Sequence, residues 1–187
     1  KNTAAALLDA EAKKRLFYST ARKYDSPLDA AVASIRVPPE GYRSLVDTVN
    51  ANLDKMHRYV RLRRKLLGVD ELHMYDIYAP IVSGAGRTIS FEEAKSIVYD
   101  ALAPMGEDYR KVIQEGFDNR WIDVYENVGK RSGGYMSGVP VHPYILLNHK
   151  DDLDSMFTLA HEMGHAMHTY LSHKAQPWVY RDYVIFV

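Results

Sequence analysis

The sequence predicts a mainly α protein with a small β-sheet beside its last long helix. Three observations carry this. Apolar residues recur at helical spacing along most of residues 2–118 and again over 151–172. Two short runs of strand character, Trp121–Tyr125 and Pro143–Asn148, flank a glycine-rich stretch. Helix-start signals recur ahead of the periodic segments, at Ser26-Pro27, Pro38-Pro39-Glu40 and Ser90-Phe91-Glu92-Glu93.

The composition is that of a soluble globular chain able to bury one good core: 187 residues, 47% hydrophobic and 26% charged. The formal net charge is zero, so no global field favours nucleic acid or a membrane surface. There is no cysteine, hence no disulfide framework and no thiolate metal site, which fits a reducing cytoplasm. No apolar run reaches the roughly 18 residues that a spanning helix needs. The chain opens at Lys1 and stops inside the apolar run Tyr183–Val187. Both ends read as cuts through a longer protein.

In chain order, Leu7, Leu8, Ala12, Leu16 and Phe17 predict a first helix over residues 2–23. Ser26 caps a short helix that has Pro27 at its first position and runs to about Ser34. One long helix is expected from Pro39, with Leu45, Val46, Val49, Leu53, Met56 and Val60 on one face, closing at Gly68. Its end carries Arg58, Arg61, Arg63, Arg64 and Lys65, read as a solvated face with cations at the negative end of the helix dipole. Residues 71–82 read as an aromatic loop, followed by a turn at Gly84-Ala85-Gly86. Ser90 and Glu93 form a capping box for a helix to about Leu102, and Gly106–Asn119 is another helix. Arg131–Gly138 is expected as a mobile glycine-rich loop, and Pro143–Asn148 as a strand that is either an ordinary core strand or an edge open to an extended peptide. A phosphate cradle would need Gly-Lys-Ser/Thr entering a helix, which is missing.

The chemistry concentrates in Asp151–Ser172, around His161-Glu162-Met163-Gly164-His165. Asp151, Asp152 and Asp154 suit a capped helix start. On a wheel of about 100° per residue, Leu153, Met156, Phe157, Ala160, Gly164, Met167 and Leu171 form the expected core stripe. His161 and His165, at i and i+4, project from one side one turn apart. Two imidazole nitrogens so spaced can close on one tetrahedral Zn²⁺ with bonds of roughly 2.0–2.1 Å. Glu162 lies on the flank of the pair, where it can reach an activated water without ligating the metal. Gly164 is costly inside a helix, about 1 kcal/mol relative to Ala, and is expected to admit close packing of another element. The pattern predicts a zinc hydrolase site.

Such a site needs a third protein ligand and an open position. His168 lies about 10 Å along the axis from His161, too far to join it, and is read as lining the cleft or bonding to a neighbour. The extended HExxHxxGxxH form would need Gly and His at 168 and 171, which hold His168 and Leu171. Beyond Met163 there is no Glu, and Asp182 is the only carboxylate. Either Asp182 serves or the third ligand lies beyond the chain.

Taken together, these segments resemble the oligoendopeptidase F group of the thimet-oligopeptidase-like zinc metallopeptidases. The resemblance rests on Met56–Val60, Glu71–Asp76, Asn119–Asn127, the loop Gly129–Gly138, His142–Asn148 and Phe157–His165 followed by His168. It implies a helical, zincin-like catalytic region with a small sheet beside the active-site helix, acting in the cytoplasm on short unstructured peptides. It also implies one Zn²⁺ held by His161 and His165, with Glu162 as general base and a glutamate just past Val187 as third ligand, which demotes Asp182. The division expected is a helical region over 1–118 and a partial catalytic subdomain over 119–187, ending before that ligand. Gly133, Gly134, Tyr135, Tyr144 and His168 are the candidate substrate contacts. The partners expected are oligopeptides, with neither nucleic acid nor membrane. The alternative reading is a module that grips peptides through the loop and strand without cutting them.

Overall fold

The computed structural model describes residues 1–82 and 86–184. Of the expected turn at Gly84-Ala85-Gly86, the first two positions lie outside the described residues, as do the last three of the terminal apolar run. The chain forms two compact units, Lys1–Ile81 and Val82–Val187.

The first unit is helical. Helix α1 (Asn2–Ala21) is followed by α2 (Pro27–Ala33), where Pro27 takes a first-turn position and Ser26 Oγ accepts the Asp29 amide at 3.1 Å. The single long helix expected after Pro39 is two: α3 (Pro39–Ala51) and α4 (Leu53–Leu67). Asn52 breaks it, leaving the helical region at φ −113° while its side-chain amide donates to the Thr48 carbonyl at 2.7 Å. A short polar side chain that bonds its own backbone competes with the helix ladder, and here it wins. Gly68 ends α4 in the left-handed region, at φ 67°. The basic cluster is not uniformly solvated. Arg63 is buried and donates to the carbonyls of Asp76 and Ala79, fastening the 3₁₀ turn Met74–Tyr78 in the stretch expected as a loop. The apolar faces of α1, α3 and α4 are largely exposed, at Leu7, Phe17, Leu45, Val49 and Met56 among others.

The second unit contains the core. Helices α5 (Phe91–Ala101) and α6 (Glu107–Asp118) pack with α7 (Leu153–Ala175), and all three belong to this unit. Ser90 Oγ caps α5 by accepting the Glu93 amide at 3.3 Å. Three strands, β1 (Ile122–Asp123), β2 (Tyr135–Gly138) and β3 (Pro143–Leu146), form one sheet in the order β1-β3-β2. β1 pairs parallel to β3 with Ile122 opposite Ile145; β2 pairs antiparallel with Met136 opposite Ile145. The glycine-rich segment expected as a mobile loop therefore ends in a strand, and the run expected as 121–125 shortens to two residues. β3 is central, bonded on both sides, so the edge nearest α7's motif belongs to β2. Ile89, Phe91, Ala94, Val98 and Ile113 close the core against Ile145, Leu147 and the buried face of α7.

That buried face shares only Met156 and Met167 with the expected stripe. Met156, Leu159, Met163, Ala166 and Met167 are buried, while Leu153, Phe157, Gly164 and Leu171 are exposed. A Cβ on Gly164 would meet nothing within 4 Å, so no described element packs closely there. Gly116 does serve that purpose in α6: its Cβ position lies 3.0 Å from the ring of buried Trp121.

Candidate metal centre

Helix α7 begins where Asp152 accepts the Ser155 amide at 2.8 Å. The Ser155 hydroxyl, and after it that amide bond, holds the Asp152 carboxyl below the usual carboxylate range. Two turns on, His161 and His165 turn the same atom, Nε2, towards each other at 3.1 Å, their rings 4.8 Å apart and steeply inclined at 81°. Nitrogens that far apart, each about 2.05 Å from a common point, subtend roughly 98° there, near a tetrahedral angle. The pair thus fits two corners of a zinc site, in donor type as well as spacing.

Glu162, between them in sequence, is 7% exposed. Its wall is β2. Alternation along the strand turns Gly134, Met136 and Gly138 towards α7. A Cβ on Gly134 would lie 2.8 Å from Thr158 Cγ2 and 3.5 Å from Glu162 Cγ; one on Gly138 would lie 2.6 Å from Thr169 Cγ2. Two glycine–threonine contacts bracket the motif, and β2 runs alongside it. The spacings agree: Thr158 and Thr169 are separated by about 16 Å of helix, and the two glycines by about 14 Å of strand.

The other expected contacts are placed as follows. Gly133 takes φ +91°, in the left-handed region, and sits at the turn into β2. Tyr135 lies on β2 but faces away from α7, since Met136 takes the inward position. Tyr144 likewise faces away, because Ile145 is the buried neighbour; its ring meets His142 at 4.4 Å, and His142 stacks on Trp121 at 4.9 Å. His168 is stacked on Tyr183, centroids 4.5 Å apart, and Tyr183 also faces His165 at 6.1 Å. The Tyr183 hydroxyl pairs with Thr169 Oγ1 at 2.7 Å. Among the described residues no third His, Cys, Asp or Glu joins the histidine pair, so neither His168 nor Asp182 completes it. Sequence reasoning missed Thr158, Thr169, Asn148 and Tyr183. Thr158 shares the helix stripe of His161 and His165 but was given no role there; the others act through contacts made only by the fold.

Helix α7 thus carries paired imidazoles with a buried carboxylate between them, flanked by a short mixed sheet. The chain belongs to peptidase family M3, whose model matches residues 1–187. It is similar to Oligopeptidase PepF of Bacillus subtilis, 47% identical over all of this chain and 28% of that protein. It is 40% identical to an Oligoendopeptidase F homolog of Lactococcus lactis, over all of this chain and 31% of that protein. Among solved structures, oligoendopeptidase-F of Enterococcus faecium superposes with a TM-score of 0.56 at 32% identity, covering 90% of this chain and 24% of that one. A Chlamydophila abortus protein superposes with a TM-score of 0.78 at 36% identity, covering 98% and 31%. The chain thus spans less than a third of the length of these relatives. Among the described residues, no helix is long and apolar enough to cross a membrane.

Proposed function

We propose that this chain carries part of the active site of a zinc-dependent endopeptidase that hydrolyses short, unstructured peptides in the cytoplasm. The observation that carries the reading is the convergence of His161 and His165 Nε2, 3.1 Å apart, with buried Glu162 between them. His161 and His165 would hold the metal, and the resemblance puts the third ligand, a glutamate, beyond Val187. Zinc, when bound, supplies Lewis-acid chemistry: it polarises the scissile carbonyl and acidifies a water. Glu162 takes the proton of that attacking water at its carboxylate and passes it to the leaving amide nitrogen. The outer edge of β2 is free among the described strands and lies along the motif, so an extended peptide can add to it through backbone hydrogen bonds. Tyr135 and Tyr144 face away from α7, which weakens their assignment as contacts at the metal; Gly133 and Gly134 keep theirs.

The test uses the 187-residue chain and a form extended some tens of residues beyond Val187. The extended form should retain about one zinc after dialysis and cleave a quenched fluorescent peptide, with a chelator abolishing cleavage and zinc restoring it. In that form Glu162→Gln should lower kcat by about 10²–10⁴ while keeping its zinc. Wild-type rates in Glu162→Gln would overturn the general-base role. Peptide binding without cleavage in a zinc-loaded protein would favour the non-hydrolytic module.

A further inference from the structure

The segment between β1 and β2 holds two glycines in the left-handed region, Gly129 at φ +85° and Gly133 at φ +91°, and on local preference it should be loose. It is tied down twice. Lys130 Nζ donates to the Tyr125 carbonyl at 2.6 Å and the Asp123 carbonyl at 3.2 Å, which fastens only the start of the loop. The second tie comes from just beyond β3, at the end of the sheet where β2 begins. Asn148 Nδ2 donates to the Arg131 carbonyl at 2.9 Å and the Gly133 carbonyl at 2.8 Å. Both neighbours are carbonyl oxygens, which only accept, so the amide nitrogen must face them and both its hydrogens are used.

Fixing the Gly133 carbonyl fixes the peptide plane that leads into Gly134. A Cβ at Gly134 would lie 2.8 Å from Thr158 Cγ2 and 3.5 Å from Glu162 Cγ, so the bare backbone there borders both side chains. The stem of Glu162 is thus bordered from the sheet side by the backbone at Gly134, and a shift of that backbone changes the space open to the carboxylate. We infer that Asn148 is a positioning residue for Glu162, acting through the Arg131–Gly134 turn that it clamps. The inference rests on the reading of Glu162 as general base.

The substitution Asn148→Asp keeps the shape but replaces the amide nitrogen that donates to both carbonyls by an oxygen that can only accept; Asn148→Ser, the milder variant, keeps one donor. Two measurements test the clamp. The first is limited trypsin digestion of the native protein, because the Arg131 carbonyl held by Asn148 belongs to a tryptic bond. Cleavage after Arg131 should be at least about tenfold faster in Asn148→Asp and intermediate in Asn148→Ser, with the melting temperature showing that each variant is folded. The second is kinetics in the form that hydrolyses peptides. There kcat should fall about tenfold or more, with KM within about twofold and zinc affinity unchanged, as for a group acting on the chemical step. An unchanged tryptic rate would overturn the clamp. Faster digestion with unchanged kcat, or zinc affinity falling in step with kcat, would overturn the link to Glu162. A wild-type protein that does not hydrolyse peptides would overturn the reading of Glu162 instead, with the tryptic rates still deciding the clamp.

Discussion

The contact between β2 and the motif helix can be measured by filling it. A methyl added at Gly134 would sit 2.8 Å from Thr158 Cγ2, about 0.6 Å inside ordinary van der Waals contact. Thr158 cannot easily turn its methyl aside, because it is β-branched and its hydroxyl donates to the Asp154 carbonyl at 3.0 Å. The substitution Gly134→Ala should therefore behave as overpacking and cost about 1–3 kcal/mol. Thr158→Ser deletes only the offending methyl, keeps the hydroxyl bond, and should cost about 1 kcal/mol or less on its own. In the double variant the nearest remaining neighbours are Glu162 Cγ at 3.5 Å and the Leu146 carbonyl at 3.6 Å, both ordinary contacts. Its stability should match that of Thr158→Ser alone, giving a favourable coupling of about 1–3 kcal/mol. Urea unfolding of the four proteins at constant m, followed through buried Trp121, reads the cycle. Additivity of the two single losses would refute the packing, and with it the placement of β2 beside Glu162.

Two further outcomes are expected. His161→Ala should lower zinc affinity by more than the roughly 10–100-fold typical of losing an outer hydrogen-bond partner, measured by competition with a chromophoric chelator; full zinc occupancy would remove His161 from the ligand set. Asp152 has its folded-state carboxyl below the usual range because Ser155 bonds it, so its contribution is fully present above about pH 4 and is lost as pH falls through the lowered value. The stability gap between wild type and Asp152→Asn, followed by acid titration of the melting temperature, should accordingly close at the acid end; a gap constant down to strongly acid pH would contradict it.

Much of the helical framework was legible because its signals are local. Ser26, Ser90 and the Asp151-Asp152 pair mark helix starts, and Gly68 marks an end, through bonds or backbone angles that the residue itself dictates. The histidine pair was legible for the same reason, since i,i+4 spacing and helix geometry alone bring two nitrogens together. What escaped was decided by tertiary contact. Helix α7 has apolar residues on most of its sides, so a wheel could not choose between the stripe through Phe157 and Leu171 and the one through Leu159 and Met163; the sheet chose the latter. The glycines at 134 and 138 read as looseness, yet each marks a place where a strand must approach a threonine on α7. Asn52 and Arg63 show the same limit. One breaks a helix whose apolar face continues past it, and the other leaves a basic run to bond two carbonyls beyond the helix end.

The strand order β1-β3-β2 also bears on how this region assembles. β2 and β3 are neighbours in sequence, joined through residues 139–142, so they can meet as a hairpin at small cost in chain entropy. β1 must instead find the far side of β3 across the whole excursion of 124–142, before the carbonyls of Trp121, Asp123 and Val124 can accept from the amides of Ile145, Leu147 and His149. The hairpin and α7, which hold the histidines, Glu162 and both glycine–threonine contacts, thus form a nucleus able to assemble without it. β1 is the late-docking seam of the sheet. When the fold opens, it should open there first and leave the side bearing His161 and His165 closed.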